Sequence, residues 1–137
     1  MTSGQPNTFR SVISILVASV AVVILSFGTD ELLHLFANFP PIGQLYSDRQ
    51  FMWATLYRTI YGVIGSYITA ALAPQKPMKH SLIGGAIGFV VNALGVIGAV
   101  IAGPKMGPLW YPTALCIGVF PAAWLGAQLY IWKTGAR

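Results

Sequence analysis

Charge is what this chain has least of. Among its 137 residues there are three acids, eight lysines and arginines, two histidines and one cysteine, and charged residues make up 8% of the whole. A soluble domain carries about a quarter charged residues, so the composition excludes an ordinary water-facing fold. One cysteine, Cys116, excludes a disulfide or a thiolate metal cluster within a single chain; its expected role is that of a small buried apolar side chain. No phosphate-binding glycine loop, nucleophile elbow or zinc-ligand spacing is present, which leaves an enzymatic role with little support. The basic residues are scattered singly, so the net charge of +5 does not form a nucleic-acid patch.

What the chain does have is long apolar runs. Hydrophobic residues make up 55% of it, and the mean hydropathy is +0.69. Crossing a hydrocarbon core near 30 Å takes about 20 apolar residues. Four stretches meet that length: Val12 to Phe36, Phe51 to Ala73, Ser81 to Gly103 and Thr113 to Trp132. Backbone amides in lipid must be satisfied within the segment, so these runs are read as helices, at about 10–36, 51–73, 81–103 and 112–132. The expectation is an all-α fold: a four-transmembrane-helix antiparallel bundle, residues 1–137 forming one integral membrane domain. A cleavable signal at Arg10 to Gly28 is the weaker reading, because the apolar stretch is long for one and the helical pattern runs past the small-residue pair Ser26 and Gly28.

Arg10, Lys76, Lys79, Lys133 and Arg137 fall at one end of such a bundle, Arg49 and Lys105 at the other. That five-to-two division places both termini in the cytoplasm by the positive-inside rule. The remaining polar signals are turns and belts. Pro40, Pro41 and Gly43 make the first crossing turn-rich, Pro74 and Pro77 keep the second tight, and Gly103 to Pro112 breaks the third. Trp53, Tyr57, Trp110 and Tyr111 at one end, and Tyr130 with Trp132 at the other, suit interfacial aromatic belts. Pro121 is expected to kink the fourth helix.

Two sets of residues stand out. Ser81, Gly85, Gly88, Asn92, Gly95, Ala99 and Ala102 recur at spacings of four and three, a small-residue stripe suited to close helix packing within the chain, with a face against a second copy or the lining of a substrate groove as alternatives. Gly62, Gly65 and Thr69, and Gly118, Ala122 and Gly126, repeat the pattern on the neighbouring helices. The second set is Asp30, Glu31, His34 and Arg58, ionisable groups inside apolar spans, where a charge at the centre costs about 2.5 to 3.5 kcal/mol. Asp30 lies about 9 Å below the end of the first helix and Arg58 about 10 Å below the start of the second. Equal depth on consecutive antiparallel helices predicts an ion pair, with His34 beside it. Read structurally, the pair locks two helices; read functionally, it lines a pocket for a proton, ion or small anion. Glu31-x-x-His34 has metal-site spacing, but too few other carboxylates exist to complete a bundle site, and His34 and His80 fall at opposite ends. No metal and no cofactor are expected.

Gly28-Thr29-Asp30 with His34, Tyr57 to Gly62, Leu72-Ala73-Pro74 with Pro77 to His80, and Trp110-Tyr111-Pro112 together resemble small bacterial four-helix integral membrane proteins that have no assigned activity. The resemblance implies a multi-pass protein of the bacterial inner membrane and carries no function with it. From the residues, the preferred expectation is a non-enzymatic accessory or scaffold subunit, in contact with the bilayer and with a membrane-protein partner or copies of itself. The alternative is a small transporter or channel working through Asp30, His34 and Arg58.

Overall fold

The computed structural model describes residues 5–41 and 44–136. Gly43 and Arg137, used above for the first turn and for the charge division, lie outside the described residues. The described chain is all-helical: α1 (Gln5–Phe36), α2 (Asp48–Leu72), α3 (Pro77–Ala102) and α4 (Trp110–Thr134), with a 3-10 turn at Gly103–Met106 after α3. Each helix starts a few residues earlier than its apolar run, because polar and proline residues occupy the first turns.

Local chemistry sets the ends. α1 stops where Asn38 takes a left-handed conformation (φ 57°) and the Phe39 amide turns back to the Leu33 carbonyl at 3.3 Å. α2 begins with a capping box: the Ser47 hydroxyl accepts from the Gln50 amide, and the Gln50 side chain accepts from the Ser47 amide. The turn into α3 passes through Lys76 at φ 48° and enters the helix on a buried Pro77, whose missing N–H costs nothing at that position. Gly107, at φ 94°, has no room for a side chain either, since a Cβ there would stand 2.6 Å from the Phe51 ring. α4 runs unbroken through Pro121.

α2 packs against all three other helices, and α4 against α2 and α3. Among the described residues the backbones of α1 and α4 do not come close, and α1 barely approaches α3. Small residues set the close approaches. Gly126 faces the α2 backbone at Val63 and Tyr67, Gly85 faces Ala123, and Gly65 faces Val22 of α1. The Ser81 hydroxyl donates to the Ser66 carbonyl at 2.9 Å, tying α3 to α2.

The spans Asn7–Phe36, Pro77–Met106 and Trp110–Thr134 are long and apolar enough to cross a membrane; α2 is long enough but too polar to stand out. Beyond its exposed first turn at Asp48 and Arg49, much of that polarity is turned back on the helix itself. Thr55, Thr59 and Thr69 donate to carbonyls one turn back on their own helix, so their hydroxyls need no water. The outward faces of the other helices carry exposed apolar side chains such as Val90, Ile101, Ile117 and Trp132. So large an apolar surface suits lipid as its solvent.

Candidate functional site

The end of the bundle holding the 37–47 and 103–109 connections carries both an aromatic cluster and the buried charges. Phe51 is buried at its centre, with ring centroids 5.5 Å from Tyr46, 4.7 Å from Tyr111 and 6.5 Å from Trp110, and Phe39 adds an edge to Tyr46. Burial raises the Tyr46 hydroxyl above its ordinary range, and the Asp30 charge pushes the same way.

Beneath this cluster Arg58 Nη2 donates to Asp30 Oδ2 at 2.5 Å. Asp30 is 4% exposed, and its other oxygen accepts from the Tyr57 hydroxyl. Tyr57 and Arg58 are adjacent on α2, so one segment of a single helix grips both carboxylate oxygens. Above them the Arg58 guanidinium carbon stands 5.9 Å from the Tyr111 ring centroid, within cation–π range. Next to the pair Thr29 and Tyr61 share a hydrogen bond of 2.5 Å, a second polar tie between α1 and α2.

Two members of the expected cluster do not join it. Glu31 is exposed and points away, because it follows Asp30 by one residue and about 100° around the helix. His34 is on the correct face one turn on, but its Nδ1–H donates to the Phe39 carbonyl at 2.8 Å, where it caps the end of α1. His80 lies at the opposite end, 2.7 Å from the Ser11 hydroxyl. Among the described residues no three His, Cys, Asp or Glu side chains come together.

A groove of about 410 Å³ runs down the bundle below Arg58, between α1 and α3, which are the pair that scarcely meets. Its floor is glycine and alanine from α2 and α4, including Gly62, Gly65, Gly118 and Ala122; Ser26, Arg58 and Asn92 line it as well. The small-residue stripe of α3 is divided by this arrangement. Ser81, Gly85 and Ala99 are buried, and a Cβ at Gly88 would stand 3.6 Å from Val119. Asn92 donates to the Gly88 carbonyl on its own helix, a Cβ at Gly95 would meet nothing within 4 Å, and Ala102 is exposed. The expected continuous packing face is therefore two faces, one closed on α4 and one open.

Tyr57, Tyr61 and Tyr111 are the functional-site residues that sequence reasoning missed. The available signal was the i, i+4 pair Tyr57 and Tyr61, hydroxyls set inside an apolar span where each needs a partner. No family model, no curated protein and no solved structure matches the chain.

Proposed function

We propose that the protein is a non-enzymatic multi-pass membrane protein with four crossings, which serves as an accessory or scaffold subunit in a bacterial inner membrane. One observation carries this reading. Asp30 is fully engaged, with both carboxylate oxygens taken, while the glycine-floored side groove between α1 and α3 is left open. A groove walled by small side chains accepts a transmembrane helix from a partner or a second copy, because backbones can approach closely there.

The test is cysteine crosslinking in native membranes. Val91→Cys lies in the groove, and Ile117→Cys lies on the far, exposed side of α4. Crosslinked dimers or a defined hetero-complex from Val91→Cys alone support the reading. A monomer in mild detergent, with no crosslink from either position, overturns it.

A second reading has its own observation: one groove reaches both Arg58 and Asn92, a polar path through an apolar wall. On that reading the protein is a small transporter or channel. A stable, correctly inserted Asp30→Asn/Arg58→Gln variant that loses a cellular transport phenotype is the result that would favour it.

A further inference from the structure

The other end of the bundle, where α1 begins, α4 ends and the α2–α3 turn lies, has bases and no Asp or Glu. Arg10, Lys76, Lys79 and Lys133 are there, while Asp30, Glu31 and Asp48 are all at the far end. At this end a depression of about 580 Å³ opens between the start of α3 and the end of α4. Lys76 and Lys79 stand at its mouth, both exposed, and Leu82, Ile83, Ala86 and Ile131 form its apolar walls.

The spacing matters more than the volume. Lys79, Leu82, Ile83 and Ala86 are at i, i+3, i+4 and i+7, so a single face of α3 passes from a cation to a strip of aliphatic carbon. Seven residues cover about 10 Å along the axis. A phospholipid lying along this face would set its phosphate beside Lys76 and Lys79 and its acyl chain against Leu82, Ile83 and Ala86. Trp132, 67% exposed near the same end of α4, sits at the depth where indoles mark the edge of the hydrocarbon.

We infer that this depression is a binding site for an anionic phospholipid, with Lys76 and Lys79 holding the headgroup phosphate and the α3–α4 crevice holding one acyl chain. Charge complementarity selects the anionic class. A net-neutral headgroup gains less from two lysines that have no Asp or Glu nearby among the described residues, whereas each base near an anionic headgroup is worth about 1 kcal/mol, a factor of about five in affinity.

The experiment is thermal unfolding of the full chain in mild detergent, titrated with phosphatidylglycerol or with phosphatidylcholine of the same chains. Phosphatidylglycerol should raise the melting temperature at lower concentration than phosphatidylcholine. Lys76→Gln/Lys79→Gln should shift its half-saturating concentration upward about 25-fold, while Arg10→Gln/Lys133→Gln, which has the same net charge, should shift it little. All four are surface substitutions, so folding is preserved. Ala86→Trp, which fills the chain crevice, should weaken the lipid effect with both lysines in place. Three results would overturn the site: equal stabilisation by the two lipids, equal loss in the two double variants, or full stabilisation by inorganic phosphate without a chain.

Discussion

Asp30 and Arg58 meet at 2.5 Å across the α1–α2 interface, an acid 4% exposed against a base that keeps 28% of its side-chain surface. The carboxylate has a second donor in Tyr57, and the guanidinium carbon stands near the face of Tyr111. Arg58 Nε is buried with no hydrogen-bond partner, so the cluster is satisfied around the acid and less completely around the base. Arg58→Gln leaves the acid in an apolar setting and should cost about 3 kcal/mol, the lower end of the range for breaking a buried pair, given the residual exposure of the arginine. Asp30→Asn should cost a similar amount. The double variant should cost clearly less than the sum. Unfolding midpoints of the four proteins give the coupling, and strict additivity would mean that the pair contributes nothing as a pair.

Glu31 provides the contrast. It is adjacent in sequence but exposed, so Glu31→Gln should change stability by no more than about 0.5 kcal/mol. The same unfolding assay checks it, and a loss like that of Asp30→Asn would show that Glu31 shares the buried cluster.

Glycine positions that look alike in the sequence should separate sharply. A side chain at Gly126 would run into the α2 backbone at Val63 and Tyr67, which cannot swing aside, whereas one at Gly88 makes ordinary contact with Val119 at 3.6 Å. Gly126→Ala should therefore destabilise by about 1 to 3 kcal/mol, the usual cost of overpacking. Gly88→Ala should be nearly neutral, and Gly88→Leu should project into the groove before it parts α3 from α4. Equal melting temperatures for Gly126→Ala and Gly88→Ala would contradict this.

What could be read before folding was whatever depends on depth and period. Equal depth brought Asp30 and Arg58 together, and the apolar runs located four helices to within a few residues. Helical spacing puts His34 on the face of Asp30, and there the structure agrees, but a local carbonyl captures its ring nitrogen; Glu31 is turned out to the exposed side by one residue of rotation. The stripe on α3 has the same small-residue spacing throughout, but only part of it meets α4, because whether α1 closes over α3 depends on long-range packing that no local spacing encodes. The capping box at Ser47 and Gln50 was in plain view and fixes where α2 begins.

The last prediction turns on α2, the helix whose composition marks it least as a membrane span. With four crossings the two termini share a side of the membrane; with three they lie on opposite sides, whatever the overall orientation. Arg58 is the main objection to α2 crossing, since an isolated charge at a helix centre costs about 2.5 to 3.5 kcal/mol. Asp30 removes most of that objection, because it sits in the strongly apolar α1 and would itself be stranded if α2 stayed outside the bilayer. The connection from Leu72 to Pro77 is four residues long, so the end of α2 is level with the start of α3 and the two run antiparallel. The termini should therefore share a side, which the five-to-two division of basic residues predicts to be the cytoplasmic one, with Gln44 periplasmic and Gln75 cytoplasmic. Fusions of a cytoplasm-dependent fluorescent protein should glow at either terminus, and a periplasm-dependent phosphatase should stay inactive at both. An impermeant maleimide applied to intact cells should label Gln44→Cys and not Gln75→Cys, while the native Cys116, buried in α4, stays silent. Termini on opposite sides, or labelling at both Gln44→Cys and Gln75→Cys, would remove α2 from the membrane and with it the four-crossing topology, whereas labelling at Gln75→Cys alone would invert the orientation.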